Sequence, residues 1–107
     1  MSEKIIENNQ VTITGMINSK FTFSHELFGE KIFLMELLVE RNSGTSDQIN
    51  IMVSERLMDV KEDYTGEYIT IHGQFRSFNR QGAGHPRLLL YIWARSYEFA
   101  ETEEDAR

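Results

Sequence analysis

The sequence predicts an all-β fold, a small barrel of five strands with one short helix between the third and fourth. Three observations predict it. Apolar residues recur at period two along most of the chain, β-branched residues crowd those stretches, and glycines stand inside them where the strands of a tight barrel must bend. The length of 107 residues allows one modest core and no second. With 40% hydrophobic and 11% aromatic residues, the composition supports a packed domain rather than a disordered chain.

The first strand, residues 11–17 (VTITGMI), alternates strictly and carries Gly15 at a point of bending or bulging. After Phe21 and Phe23 comes SHELFGEK, read as a polar connection with Gly29 as its turn residue. Residues 32–41 form the second strand, with Phe33, Met35, Leu37 and Val39 on the core face and Leu34, Glu36, Leu38 and Glu40 opposite. NSGTSD is a turn cluster, and residues 48–53 alternate into a third strand. Ser54 is suited to cap a helix through ERLMDVKEDYTG, in which Leu57, Val60 and Tyr64 share one side and Gly66 ends the segment. Residues 68–78 make the fourth strand, with Ile69, Ile71 and Phe75 inward and Gly73 at a bend. NRQGAGHP is a hairpin tip. Residues 87–99 make the fifth strand, in which Leu88, Leu90, Ile92 and Ala94 alternate against Leu89, Tyr91, Trp93 and Arg95.

Five strands with a helix between the third and fourth is the arrangement of the OB-fold, a small Greek-key barrel. An SH3-like barrel or a mixed α+β meander is the alternative, and the position of the helix favours the OB-fold. The domain then covers residues 9–99, preceded by a flexible start over 1–8 and followed by an acidic tail over 100–107.

The formal net charge of -6 argues against a nucleic-acid partner until its distribution is considered. Residues 98–107 carry five acids and one arginine, and residues 68–97 carry Arg76, Arg80, Arg87 and Arg95 with no acid at all. Acidic ends therefore mask a basic carboxy-terminal third.

Catalysis is not expected. The chain has no cysteine, which excludes disulfides, cysteine metal sites and thiol nucleophiles. His25, His72 and His85 are far apart and none has a partner at ligand spacing, so no metal is expected. Ser24 and His25 are adjacent, but neighbours on a strand point to opposite faces, so they are not expected to form a nucleophile and base pair. QGAG lacks the lysine and helix of a phosphate loop. No cofactor is implied. MSEKIIENNQ lacks the apolar run of a signal peptide, and the longest apolar run, residues 88–94, is far short of the roughly 20 residues that span a bilayer. A cytoplasmic protein without a membrane partner is expected.

The residues NNQVTITGMI, IFLMELLVER and GEYITIHGQFRSF resemble the single-stranded DNA-binding protein family over residues 9–99. Asn9, Val11, Ile13 and Gly15 match its opening strand, N-x-V-x-L-x-G. Gly66, Ile69, Ile71, Gly73, Phe75 and Arg76 match its strand G-x-x-V-x-I-x-G-x-L-R. The resemblance implies an OB-fold that pairs into dimers through the first strand, often into tetramers, and binds single strands without cutting them. The family's tryptophan-rich second and third strands are not seen, since Trp93 is the one tryptophan and sits on the last strand. The linker and acidic tip that recruit partners in replicative members are not seen either. A compact form of the family, similar to the primosomal replication protein N group, fits the length.

Sequence-tolerant strand binding needs a basic groove and exposed rings on which bases stack. Arg76 and Phe78 share the outward parity of the fourth strand, and Arg80 and Arg87 follow in the hairpin. These four residues and Tyr91 are the candidate nucleic-acid site. Tyr91 and Trp93 form either a stacking platform or a subunit interface, with Trp93 leaning to the interface. Phe21, Phe23 and Phe28 flank a usual ligand-facing loop of the fold, at least one of them being core. Leu34 and Leu38 suggest contact between subunits. The function expected is non-enzymatic binding of single-stranded DNA in replication, recombination or repair by a dimer or tetramer. The alternative is a protein-interaction module, an accessory subunit that contacts replication proteins and has little affinity for nucleic acid.

Overall fold

The computed structural model describes residues 9–81, 84 and 86–100, with the backbone alone for 78–81 and 86–88. Within them the chain is all-β. Six strands are present: β1 (Gln10–Ile17), β2 (Thr22–Leu27), β3 (Glu30–Glu40), β4 (Ser46–Ser54), β5 (Tyr68–Gln81) and β6 (Pro86–Phe99). They form one sheet in the order β1-β5-β6-β4-β3-β2, and β1 also pairs with β3 at Met16 and Ile17, which closes five of the strands into a barrel. All neighbours are antiparallel except β4 and β6, which meet in parallel at Ile51–Ile92 and Met52–Trp93. Ile17, Met35, Leu37, Ile51, Val53, Ile69, Ile71 and Ile92 fill the interior, each at most 1% exposed.

Two elements differ from the expectation. The sixth strand, β2, lies where a polar connection was read. Phe28 (φ 51°) and Gly29 (φ 82°) both take positive φ, the signature of a two-residue type I′ turn whose twist matches a strand pair. The residues around Gly29 are therefore paired rather than looped. Every residue of β2 is exposed, so hydrophobic alternation had nothing to report.

Among the described residues there is also no helix between β4 and β5. Ser54 does begin a turn: its Oγ accepts from the Arg56 amide at 3.0 Å and its carbonyl from the Leu57 amide at 2.9 Å. The turn does not propagate, because Asp59 Oδ1 takes the Lys61 amide at 3.1 Å and Asp63 Oδ1 the Thr65 amide at 3.0 Å. Short polar side chains compete in this way for the donors a helix needs. The resulting run of turns presses Met58, Leu57 and Tyr64 onto the core and plugs one end of the barrel.

Two residues read as inward are not buried. Phe75 is 39% and Leu90 61% exposed. β5 and β6 are 14 residues each, about 46 Å at ~3.3 Å per residue. β5 pairs with β1 only as far as Gln74, so both strands overhang the barrel wall as a two-stranded arm and their inward face meets no opposing strand.

Gly73 is more than a bend. His72 pairs with Ser96 but Gly73 pairs with Ala94, leaving Arg95 as the extra residue of a β-bulge. A Cβ on Gly73 would stand 2.1 Å from the Trp93 carbonyl oxygen, a distance no side chain tolerates. The bulge reverses parity: Ile92 and Ala94 are buried before it, and Tyr97 packs against the core after it. At the far end Ala100 still donates its amide to the Tyr68 carbonyl at 2.9 Å. The flexible start expected over 1–8 and the tail from 101 lie outside the described residues. No helix among the described residues is long and apolar enough to cross a membrane.

Candidate nucleic-acid interface

Residues directly opposed on paired strands share a face of the sheet. The registers thus string Gln10, Gln74, Trp93, Met52, Leu34 and Thr22 into one row on the outer wall, crossing all six strands. Beside it, Arg76 on β5 is opposed by Tyr91 on β6. The Arg76 guanidinium lies over the Trp93 ring, 5.4 Å from its centroid, and donates to Gln74 Oε1 at 3.1 Å. Among the described residues no carboxylate forms an ion pair with it; the three ion pairs found are Arg41–Asp47, Arg56–Glu30 and His72–Glu98. An exposed arginine is held flat by an aromatic face and a neutral amide, with its charge uncompensated.

Met52 faces outward yet is only 4% exposed. It forms part of the lining of a cleft of about 410 Å³ together with Tyr91, Ser24 and His25. The cleft thus draws its lining from β2, β4 and β6 on the outer wall.

Ser24 and His25 reach this cleft through a second irregularity. Phe23 pairs with Phe33 and His25 with Ile32, so Ser24 is the extra residue of a bulge in β2. The premise that these neighbours must point apart fails for that reason. Ser24 Oγ and His25 Nδ1 are 2.9 Å apart and hydrogen-bonded.

Of the residues expected in the site, Arg76 and Tyr91 come together. Phe78, Arg80 and Arg87 have their backbone in the arm, where Phe78 opposes Leu89 and Arg80 opposes Arg87; their side chains lie outside the described residues. Trp93 lies beneath Arg76 on the outer wall. Of the three phenylalanines, Phe21 packs against the core, edge-on to Tyr64 at 6.0 Å, as expected of at least one. Phe23 is 54% exposed and edge-on to Phe33 at 5.7 Å, and Phe28 stands fully exposed at the hairpin tip. Leu34 and Leu38 are half-buried, Leu34 in the outer-wall row and Leu38 opposite Met16 where the barrel closes.

Sequence reasoning missed Met52, Ser24 and His25. The shared parity of Tyr91 and Trp93 had already set both on the outer face. The register that sets Met52 beside Trp93, and the bulge at Ser24, left no local signal. Elsewhere on the outer wall, His72 meets Thr12 Oγ1 at 3.0 Å and Glu98 at 3.5 Å. No group of three or more potential metal ligands is found among the described residues.

No protein-family model matches the chain, and no curated protein does. Solved structures do. The N-terminal domain of PriB from Thermoanaerobacter tencongensis, a dimeric structure, shares 38% identity with a TM-score of 0.75, the match covering 89% of this chain and 99% of that one. The SSB of Plasmodium falciparum, solved in complex with single-stranded DNA, is 14% identical with a TM-score of 0.65, over 94% of this chain and all of that one, a likeness of fold alone. These matches bear out the OB-fold barrel and the resemblance read from the sequence.

Proposed function

The chain belongs to the family of the PriB N-terminal domain, and from that premise we propose that it binds single-stranded DNA without cutting it, in replication, recombination or repair. The observation that carries this reading is Arg76 lying over Trp93 beside Tyr91, a cation with no carboxylate partner on an aromatic surface at the edge of a cleft. Phosphate is held by Arg76, with Arg80 and Arg87 extending the track along the arm, and bases stack on Tyr91, with Phe78 as a further ring. Such stacking contributes about 1–3 kcal/mol per base and tolerates any sequence. The Plasmodium protein, which has the same fold, was solved with single-stranded DNA, and this supports a strand-binding role.

The active species is a homo-oligomer. β1 pairs with β5 along its length but with β3 only at Met16 and Ile17, so among the described residues one edge of residues 10–14 has no paired strand. An open edge of this kind invites a second copy, and the PriB domain it resembles is dimeric. Light scattering on a sizing column should return a dimer or tetramer, and a strict monomer would reject this part. For strand binding, a fluorescent thymine oligonucleotide is titrated at two salt concentrations. Affinity should fall steeply with salt, the slope counting engaged phosphates. Absence of binding at low salt and micromolar protein rejects the reading.

A further inference from the structure

We propose that the cleft beside Met52 is a pocket for one nucleobase, read at its edge by Ser24 and His25, an inference that rests on the strand-binding reading above. A base has two apolar faces and a polar rim, and the cleft is divided in the same way. Met52 and the ring of Tyr91 supply the apolar surface, while the hydroxyl of Ser24 and the imidazole of His25 stand together on β2. Its volume of about 410 Å³ falls in the range of small-ligand sites. A thioether is soft and polarizable and packs well against aromatic rings, which suits Met52 as a surface under a base.

The polar side is built by backbone geometry. Without the bulge, strand alternation would turn one of the two side chains away. With Ser24 as the extra residue, both line the cleft and are bonded to each other at 2.9 Å. Bulges commonly re-aim side chains next to sites in this way. The bond engages Nδ1, so Nε2 donates or accepts according to the tautomer, with the serine hydroxyl adjusting its role to match. Tyr91 belongs to both the cleft and the Arg76 pair, so a strand whose phosphate rests on Arg76 brings a neighbouring base to this opening. Binding that is otherwise tolerant of sequence then carries a preference at one nucleotide.

The test uses the full chain in two arms. In the first, anisotropy titrations compare labelled thymine, cytosine and adenine oligonucleotides at one salt concentration. The wild type should discriminate among them, and Ser24→Ala and His25→Ala should narrow the spread by about threefold or more while leaving the salt slope unchanged. Arg76→Glu should instead lower all affinities together and flatten the slope. Equal affinities in the wild type, or an unchanged spread in both β2 variants, would overturn the pocket and leave strand binding standing. In the second arm, the Met52 methyl resonance is followed by NMR during titration with free thymidine, cytidine or adenosine at millimolar concentration. A saturable shift supports the pocket even if no oligonucleotide binds, the outcome that would sink the strand reading alone. No shift with any nucleoside overturns it.

Discussion

At the plugged end of the barrel Tyr64 packs against Phe21 and Phe99, with centroids 6.0 and 5.2 Å away, and Tyr97 stands edge-on to Phe99 at 5.5 Å. On the outer wall Tyr91 borders a cleft and Trp93 carries an arginine. The plug rings are partners to one another, and burial, with Asp59 adding to it, pushes the Tyr64 phenol pKa above its ordinary value. Four of these aromatic residues come from one strand: 91, 93, 97 and 99 of β6 share a parity and would line one face of a regular strand. The bulge at Arg95 divides them, sending 91 and 93 outward and 97 toward the core. One aromatic stripe thereby serves two surfaces, and the irregularity that separates them is possible because Gly73 lacks a side chain.

The comparison breaks most severely at the plug. Met58 is 3% exposed in the core cluster, so Met58→Ala should cost about 2–5 kcal/mol in chemical denaturation. Its affinity for strands, measured while still folded, should hold. Gly73→Ala attacks the separation itself. The backbone at Trp93 must give way, which should cost about 1–3 kcal/mol and, unlike Met58→Ala, should also weaken oligonucleotide binding by displacing Trp93. Trp93→Ala removes the platform beneath Arg76. Affinity should fall about tenfold, within the range of a lost stack, with the melting temperature changed far less than by Met58→Ala.

The smallest effect is one of pH at the plug's margin. The Thr65 hydroxyl, and after it the Thr65 amide, hold the Asp63 carboxyl below its ordinary value of 3.8. A lowered folded value means that folding favours the carboxylate. The contribution is complete above the ordinary value and is lost as pH falls through the lower folded one. Thr65→Ala should therefore lose less of its melting temperature than the wild type between about pH 5 and about pH 2. An equal loss would assign the acid sensitivity to other groups.

The barrel was legible because its wall obeys alternation: Ile69, Ile71, Met35, Leu37, Ile92 and Ala94 are buried as their positions imply. Phe75 and Leu90 obey the same parity and are exposed, because alternation reports which face a residue takes and not whether another strand lies across from it. The helix failed on competition, with Ser54 capping a turn that two aspartates then interrupt. For the candidate site, Arg76 and Tyr91 could be named from parity and charge. Their meeting with Trp93 and Met52 depends on the registers of β5 with β6 and of β4 with β6, the second joining residues about forty positions apart in the chain. Ser24 and His25 were dismissed by a rule of regular strands that a one-residue bulge suspends.

β6 is the last strand among the described residues, and it supplies both the parallel pairing that joins β4 to the closed sheet and the rings Tyr91 and Trp93 of the outer wall. Until it docks, β4 and β5 expose unpaired edges, and neither Tyr91 nor Trp93 has its place on the outer wall. The β4–β6 contacts join residues about forty positions apart and form later than the local β5–β6 hairpin. Until β6 docks, the sheet is therefore open to edge-to-edge association. Closure of the barrel and assembly of its aromatic outer wall are a single event in the life of each molecule.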